Sequence, residues 1–366
     1  MARSVSRRKF LHQTTCALLA SGLKPALPKF HEAPDLDFQI GQMLMANFPG
    51  LRMTESIAHL IRKEHLGGVL LFENNFSTAS QPKESLKKLT NDLQNVSPTS
   101  LLIAMDQEGG AVNRLKQKYG FPPSYSAHYL GKRNDLQLTK QTAETTAKTL
   151  SAIGINQNFA PVVDLNINSD NPVVGSSKRC FSSDPGIVVA HSREIIRAHR
   201  ERNIITTLKH FPGHGSSTND SHAGFTDVTD TWDTIELTPY RELIAAGFVD
   251  SIMTAHIYNS KLDRAYPASL SQKTITTLLR KELGFEGVVF SDDLLMGAIR
   301  NQYSLEESVL LAILAGNDIL LFTTIANELL PRVKSIIKKH IENGAISRKR
   351  INISYRRIAQ LKHKLL

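Results

Sequence analysis

The chain is poor in cysteine and tryptophan, and it has no long uninterrupted apolar run. Among its 366 residues are two cysteines, Cys16 and Cys180, and one tryptophan, Trp232. Cys16 lies in a basic N-terminal segment, so a mature chain without that segment keeps only Cys180 and forms no internal disulfide. No run approaches the ~20 apolar residues of a spanning helix, so we do not expect an integral membrane protein.

Nucleotide-binding and repeat signatures are also missing. No Gly-rich nucleotide fingerprint follows the first predicted strand, and no internal repeat or low-complexity linker divides the body. These absences disfavour a doubly wound dinucleotide-binding sheet, which is the main alternative fold. The length suits one large α/β barrel.

The excess of positive charge is concentrated at the N-terminus. The formal net charge is +10, and residues 1–30 contribute six Lys or Arg and no acid, so the rest carries about +4. We therefore expect no nucleic-acid partner. The basic run at 348–357 is interpreted as the solvated face of a helix.

The N-terminal segment has the order of parts of an export signal. Basic residues at 7–9 precede a short apolar run at 16–23, and such an arrangement is typical of a signal peptide. The pattern resembles a twin-arginine signal, whereas a basic disordered start is the alternative. We predict that residues 1–34 direct export to the periplasm or cell exterior and are removed. Residues 35–366 then form one catalytic domain without stable membrane insertion.

Strand-like apolar runs alternate with helix-like segments along the body. In one such segment Ile275, Leu279 and Leu283 share a helical face, and Gly284 suits the C-terminal cap. The predicted strands are 40–48, 67–72, 101–105, 159–165, 204–208, 251–256, 287–290 and 318–322. Eight alternations of this kind predict a (β/α)8 barrel of the TIM type, with its active site at the C-terminal strand ends.

Charged side chains follow many of these predicted strands. They include Asp106, Glu108, Asp164, Lys209, His210, His256, Asp292 and Asp293. An acid at a barrel strand end can be a nucleophile or an electrostatic stabiliser, with helix capping as the alternative role. Arg179, in a loop after the strand that ends near Asp164, can clamp a hydroxyl or a carboxylate.

The stretch 209–222 carries the densest chemistry of the chain. A Lys-His pair follows a β-branched run, and a loop rich in Pro and Gly then leads to Asp220, Ser221 and His222. A carboxylate two residues from an imidazole can fix one ring nitrogen and leave the other for proton transfer. The sequence therefore predicts a movable acid/base device.

Four histidines raise the alternative of a metal site: His210, His214, His222 and His256. The spacing of the first three matches no established ligand signature, so we predict neither a metal nor a cofactor. We interpret His214, which lies between two glycines, as shaping its loop. Trp232 is interpreted as a packing residue rather than a platform for a sugar.

Together these motifs resemble glycoside hydrolase family 3, in particular its single-domain bacterial β-N-acetylhexosaminidases of the NagZ type. The resemblance covers nearly the whole body. It rests mainly on Asp-Gln-Glu-Gly-Gly at 106–110, Lys-His-Phe-Pro-Gly-His-Gly at 209–215, Asp-Ser-His at 220–222 and Ser-Asp-Asp-Leu at 291–294. It implies a (β/α)8 barrel and a retaining mechanism in which a histidine replaces one of the usual two carboxylates.

The resemblance also implies roles for particular residues. Asp292 aligns with the nucleophile, His222 with the general acid/base and Asp220 with its orienting partner. The residues that align with those holding the sugar hydroxyls are Asp106, Arg114, Arg179, Lys209 and His210. Two positions depart from the family pattern, because Ala111 and Glu73 stand where relatives often have arginine.

The resemblance implies an exo-β-N-acetylglucosaminidase that releases terminal β-linked GlcNAc from peptidoglycan or chitin-type fragments. We expect it to act on its carbohydrate substrate as a monomer. The alternatives are a β-glucosidase or a GlcNAc phosphorylase of the same family, a metal-dependent hydrolase and an inactive sugar-binding barrel. The β-glucosidases commonly take their acid from a second domain, whereas this chain has the Asp-Ser-His run.

Overall fold

The structure is a computed structural model that describes residues 34–323 and 328–365, so the predicted export signal lies almost entirely outside the described residues. Within the described ranges, eight parallel strands form a closed barrel, in which β1 pairs with β10. These strands are β1 (Leu44–Ala46), β2 (Gly68–Leu70), β3 (Leu102–Met105), β6 (Gln157–Asn158), β7 (Ile205–Phe211), β8 (Ser251–Thr254), β9 (Val288–Asp293) and β10 (Ile319–Phe322). An antiparallel hairpin of β4 (Gln107–Gly109) and β5 (Val112–Asn113) follows β3. The predicted TIM-type barrel is confirmed.

Helices separate most of the barrel strands. They are α1 (Leu36–Gln42), α2 (Glu55–Arg62), α3 (Pro82–Val96), α4 (Ala127–Arg133), α5 (Leu136–Ala152), α6 (Pro185–Arg200), α7 (Thr238–Ala245), α8 (Gly297–Arg300), α9 (Leu305–Ala315), α10 (Leu329–Glu342) and α11 (Arg348–His363). The predicted helix before Gly284 is a π-helical segment, Lys273–Glu282, and Gly284 follows it with a φ of +71°. Many helices begin at a side-chain cap, such as Ser304, whose hydroxyl accepts from the N–H of Glu307.

The predicted strand at 40–48 is only partly correct. Residues up to Gln42 belong to α1, and the strand itself is limited to Leu44–Ala46. Asp35 starts the helix, because its carboxylate accepts from the N–H of Phe38 at 2.7 Å. Short apolar runs fit a buried helix as well as a strand, so the cap decides between them.

The predicted strand at 159–165 is wrong in its position. Regular pairing occurs earlier, at Gln157–Asn158, and beyond it only an isolated bridge joins Val162 to Lys209. Pro161 has no N–H to donate, so the run cannot continue as an uninterrupted central strand.

Strands β7 and β9 continue beyond their predicted ends and include the charged residues that were expected to follow them. In both strands the pairing with a neighbour shifts by one residue near the C-terminal end. The register passes from Leu208↔Ile252 to Phe211↔Thr254, and from Phe290↔Ile319 to Asp293↔Leu321. A bulge of this kind turns side chains away from strict alternation between the two faces of the sheet.

The structure also tests several smaller predictions. Cys180 and Trp232 are buried, and the indole N–H of Trp232 donates to the carbonyl of Pro212 at 3.3 Å, so its packing role is confirmed. The basic run at 348–357 is solvated only in part, because Arg350 and Arg357 contact the buried carboxylate of Asp318. No helix of the described ranges combines the length and the apolar character needed to cross a bilayer.

Candidate active site

A cavity of about 450 Å³ lies at the C-terminal ends of the barrel strands. All the residues that were predicted to form the site line this cavity. They are Asp106, Arg114, Arg179, Lys209, His210, Asp220, His222 and Asp292. The structure therefore brings the predicted residues together, whereas their chemical roles stay predictions.

The two strand bulges explain why neighbouring residues reach the same cavity. In a regular strand, successive side chains point to opposite faces. Here both Lys209 and His210 line the cavity, and so do both Asp292 and Asp293. Each pair lies within the register shift of its strand, so each bulge places two polar side chains where a regular strand would place one.

A buried ionic cluster forms one wall of the cavity. Lys209 Nζ lies 2.7 Å from Asp106 Oδ1 and 2.6 Å from Glu108 Oε1. Arg179 binds Glu108 through two hydrogen bonds, Nε to Oε2 at 2.7 Å and Nη2 to Oε1 at 2.8 Å. The side chains of Lys209, Glu108 and Arg179 are 3%, 5% and 9% exposed. Such buried pairs fix geometry, because separating them would leave an uncompensated charge.

The members of this cluster hold one another in their charged forms. Burial opposes ionisation of Glu108, but Arg179 and Lys209 lower the pKa of its carboxyl well below its usual range. Burial opposes protonation of Lys209, whereas Asp106 and Glu108 raise the pKa of its ammonium. An ionised Glu108 that accepts from two cations is poorly placed to donate a proton, so it is a weak candidate for the general acid.

The carboxylate of Asp164 orients the ring of His210. Its Nδ1 lies 2.6 Å from Asp164 Oδ2, and its Nε2 lies 3.4 Å from Nη2 of Arg179. The other oxygen of Asp164 accepts from the backbone N–H groups of His210 at 3.1 Å and His214 at 2.9 Å. Burial opposes ionisation of Asp164, but His210 and His214 lower its pKa. One buried carboxylate therefore fixes both the ring of His210 and the backbone that follows it.

The two adjacent acids of β9 have different surroundings. The carboxylate of Asp293 accepts from the N–H of Leu295 at 3.0 Å and from both the N–H and the hydroxyl of Thr323. From the part of the chain that the structure describes, Asp292 receives one hydrogen bond, from the N–H of Asp293 at 2.8 Å. Asp293 therefore supports the backbone, while most acceptor positions of Asp292 stay open towards the cavity.

The pKa values of these two acids are shifted in opposite directions, which agrees with their different hydrogen bonds. Burial opposes ionisation of Asp292, but His256, His210 and the N–H of Asp293 lower the pKa of its carboxyl. Burial raises the pKa of Asp293. A carboxylate that attacks a sugar must be ionised, and these surroundings favour Asp292 as the nucleophile.

The predicted acid/base pair lies on an exposed loop across the cavity. His222 Nδ1 is 2.7 Å from Asp220 Oδ1, and the backbone N–H of His222 donates to the same oxygen at 2.9 Å. Burial opposes ionisation of Asp220, but its two contacts with His222 lower the pKa of its carboxyl. The side chains of His222 and Asp220 are 61% and 43% exposed. Nδ1 is thus engaged, and Nε2 is the ring nitrogen left for proton transfer.

The four histidines that suggested a metal site have other partners. Besides the contacts of His210 and His222 above, His214 binds Ser217 and Ser221, and His256 binds Ser269 and the carbonyl of Asp293. Across 34–323 and 328–365, no three His, Cys, Asp or Glu side chains are grouped as metal ligands would be.

The two positions that depart from the family pattern lie outside the lining of the cavity. Glu73 binds Lys116 and the hydroxyl of Tyr119, and Ala111 is exposed at the turn between β4 and β5. Neither side chain replaces a member of the ionic cluster.

Sequence reasoning assigned no role to Glu236, and it left Asp164 and His214 without specific contacts. Glu236 is buried beneath the loop after β7, and its Oε2 accepts from the N–H of Gly215 at 2.9 Å. Burial raises the pKa of Glu236 to about 7. Asp164 lies near the end of the predicted strand 159–165, which is the one sequence signal that could have indicated its role. Glu236 lies in a short 3₁₀ turn, Thr234–Leu237, that precedes α7, and its sequence gives no such signal.

Comparisons with known proteins reveal similarity along most of the chain. Residues 35–361 match the glycosyl hydrolase family 3 N terminal domain. The chain is 34% identical over 337 residues to beta-hexosaminidase A of Pseudoalteromonas piscicida, covering 84% of this chain and 55% of that protein. It is 34% identical over 286 residues to a beta-hexosaminidase of Xylella fastidiosa (strain 9a5c), covering 76% of this chain and 82% of that one.

A solved structure is similar over most of the fold. The glycoside hydrolase family 3 beta-N-acetylglucosaminidase from Paenibacillus sp. str. FPU-7 superposes with a TM-score of 0.84 at 36% identity, covering 91% of this chain and 63% of that one. The chain thus spans less than two thirds of the Pseudoalteromonas and Paenibacillus proteins, but most of the Xylella protein.

Proposed function

This chain belongs to glycosyl hydrolase family 3, and on that premise we propose that it is a retaining exo-β-N-acetylglucosaminidase. The observation that carries the proposal is the joint placement of Asp292 and the His222–Asp220 pair in one cavity. The hexosaminidase relatives support GlcNAc as the sugar that is released.

In the first step Asp292 attacks the anomeric carbon of the terminal sugar, and the bond to the leaving oxygen breaks. His222 gives that oxygen its proton from Nε2, while Asp220 holds Nδ1. The products of this step are the released aglycone and a glycosyl ester of Asp292.

In the second step the same imidazole takes a proton from water, and the resulting hydroxide attacks the anomeric carbon. The ester bond breaks, Asp292 leaves as a carboxylate, and the sugar departs with its original β configuration. The ionic cluster of Asp106, Glu108, Arg179 and Lys209 binds the sugar hydroxyls in both steps, because its donors and acceptors already have fixed positions.

The test is turnover of matched aryl β-GlcNAc and aryl β-glucoside substrates, with and without chelator. We expect GlcNAc release with retained β configuration by NMR, little turnover of the glucoside and no effect of chelator. Preference for the glucoside would favour the β-glucosidase alternative, and loss of activity with chelator would favour the metal-dependent one. No turnover of either substrate would favour a sugar-binding barrel.

The same assay in phosphate buffer separates hydrolysis from phosphorolysis. An imidazole acid/base does not repel an anionic acceptor as a carboxylate would, so phosphate has electrostatic access to the glycosyl ester. We expect free GlcNAc as the main product. GlcNAc 1-phosphate as the main product would assign the phosphorylase reaction.

Peptidoglycan or chitin-type fragments are the proposed natural substrates, and the enzyme is proposed to act as a monomer. Barrel closure leaves none of the eight strands described with an open edge for pairing with a second copy. Comparing kcat/KM for muropeptide disaccharides and chitooligosaccharides tests the substrate, and light scattering tests the oligomeric state. A stable dimer mass would contradict the monomer.

Export by the twin-arginine route is proposed from the N-terminal sequence. Residues 1–40 fused to a reporter should carry the reporter across the inner membrane, and changing Arg7 and Arg8 to lysine should block this. The exchange keeps the positive charge, so it separates recognition of the arginine pair from general electrostatics. A native fusion that stays in the cytoplasm would contradict export.

A further inference from the structure

The segment that bears the acid/base, residues 213–225 and called the His222 loop below, has a buried anchor next to its exposed tip. Ser221 is 2% exposed, whereas the neighbouring side chain of His222 is 61% exposed. His222 therefore projects into the cavity from a fixed residue, and the contacts of that residue determine where the imidazole lies.

The first anchor of the loop is His214. Its Nε2 lies 3.0 Å from the hydroxyl of Ser221, and its Nδ1 lies 2.9 Å from that of Ser217. Burial lowers the pKa of His214 to about 4, so the ring is neutral around pH 7 and one nitrogen donates while the other accepts. The backbone of His214 is itself held by Asp164, which also fixes His210.

The second anchor comes from the segment that follows the nucleophile. The N–H of Gly297 donates to the carbonyl of His222, and the N–H of Ala298 donates to that of Ser221, both at 3.2 Å. Gly297 is five residues beyond Asp292. A Cβ on Gly297 would lie 2.6 Å from the carbonyl oxygens of His222 and Ala223, so this close approach of two backbones requires glycine.

We infer that Gly297 is a positioning residue for the acid/base: it joins the His222 loop to the segment after Asp292 and so fixes the distance between proton donor and nucleophile. The inference rests on the proposed function. His214 supports the same position from the β7 side through Ser221. The two catalytic groups then share one backbone connection, and loosening it weakens proton delivery without changing how the sugar is held.

The experiment compares Gly297→Ala with Gly224→Ala. Both add one methyl group near His222, but an added Cβ at Gly224 meets no atom of the described residues within 4 Å. The readout is kcat/KM across aryl β-GlcNAc substrates with leaving groups of graded pKa, with the fold checked by circular dichroism and thermal unfolding.

For Gly297→Ala we expect kcat/KM to fall by roughly 10- to 100-fold with poor leaving groups, which is part of the rate enhancement that general acid catalysis contributes. The most activated aryl group should lose less than about threefold, because it leaves with little protonation. Gly224→Ala should follow the wild type across the series.

A folded Gly297→Ala that loses the same factor for every leaving group, or loses nothing, overturns the inference while the wild type remains active. A wild type that turns over none of these substrates instead contradicts the proposed function. If Gly297→Ala does not fold, Ala298→Pro decides, because it removes the N–H that donates to the carbonyl of Ser221 at the same anchor, in the first turn of α8. A folded Ala298→Pro should steepen the leaving-group dependence relative to the wild type, and an unchanged slope would overturn the inference.

Discussion

The two sides of the cavity are built differently. The side formed by Asp106, Glu108, Arg179 and Lys209 is buried, and its charges are paired with each other. The side formed by Asp220 and His222 is exposed, and backbone hydrogen bonds join its loop to the segment after Asp292. Under the proposed function, the buried side would present the same donors to each sugar, whereas the exposed side would reach the leaving oxygen, then admit water, then release the product.

This difference makes the two sides separable by experiment. Damage to the buried side should reduce turnover of all substrates alike, because each substrate presents the same terminal ring. Damage to the exposed side should depend on how much protonation the leaving group needs. The predictions below test this contrast, beginning with the largest expected effect.

The largest effect is expected for Asp292→Ala. No other acid described in the cavity has free acceptors at the end of β9, since Asp293 holds Leu295 and Thr323. We expect a loss in kcat on the order of 10⁴-fold or more, as for removal of other enzymic nucleophiles, with the fold retained by circular dichroism. Asp293→Asn is the matched control. If Asp293→Asn were the inactive variant and Asp292→Ala kept near-normal rates, the assignment would be wrong.

Lys209→Met should damage the buried side for all substrates. It leaves Asp106 and Glu108 without their shared cation, and breaking a buried pair costs about 3–5 kcal/mol. We expect kcat/KM to fall by roughly 10²-fold or more, independently of the leaving group, together with a lower Tm.

Lys116→Met is the matched control for this change, because Lys116 pairs with Glu73 in a half-exposed contact outside the cavity. Lys116→Met should lower kcat/KM and Tm much less, because ion pairs open to solvent contribute little to stability. A loss in Lys209→Met that grew with leaving-group pKa would contradict the separation of the two sides.

His222→Ala should damage the exposed side selectively. With poor leaving groups we expect kcat/KM to fall by roughly 10²- to 10⁴-fold, which is the usual contribution of a general acid. With activated aryl groups the loss in kcat/KM should be much smaller. Azide should partly restore turnover, because it attacks the glycosyl ester without needing a base. Asp220→Ala should show a weaker form of the same pattern, since it removes only the partner of Nδ1.

The outcome that counts against this assignment is a uniform loss across the leaving groups. Glu108 would then have to be tested as the acid, despite its contacts with Arg179 and Lys209.

The last prediction concerns stability next to the His222 loop, where Glu236 accepts from the N–H of Gly215. Its pKa is raised from 4.5 to about 7 in the folded chain, so the unfolded chain releases this proton at lower pH than the folded one. Its contribution to stability therefore falls as pH rises from about 4.5 to about 7. Glu236→Gln removes this titration, and its gain over the wild type should grow across that window to about 3 kcal/mol.

Denaturant unfolding at several pH values measures this difference. Glu242→Gln, at an exposed glutamate of α7, controls for the loss of one charge. A constant difference between Glu236→Gln and the wild type from pH 4 to 8 would contradict the buried titration.

The sequence predicted the barrel because its strands are short apolar runs and most are followed by charged residues. It also identified the residues of the cavity, since Asp106, Lys209 and Asp292 stand at or near predicted strand ends. The predicted strand boundaries were wrong in two places. The apolar pattern around Ile40 suits a helix as well as a strand, and Pro161 interrupts an otherwise strand-like run.

The orientation of the side chains could not be read from the sequence. The bulges at Lys209–His210 and Asp292 depend on pairing with strands more than 25 residues away, as for Phe290 and Ile319, which lie opposite each other in β9 and β10. The anchor from Gly297 to His222 likewise joins segments that are distant in the chain. Such contacts arise only once the barrel brings those segments together.

The pairing of β1 with β10 has a consequence for biosynthesis. Leu44–Ala46 emerges early from the ribosome, but its partner Ile319–Phe322 is made near the end of the described chain. Lys362, from the last helix, then donates to Gln42 and to the carbonyl of Gly67 beside the first two strands. A chain that stops before β10 leaves β1 and β9 with unpaired edges, which are templates for aggregation. The barrel therefore cannot close until β10 has been synthesised, because until then β1 and β9 each lack one of their partner strands.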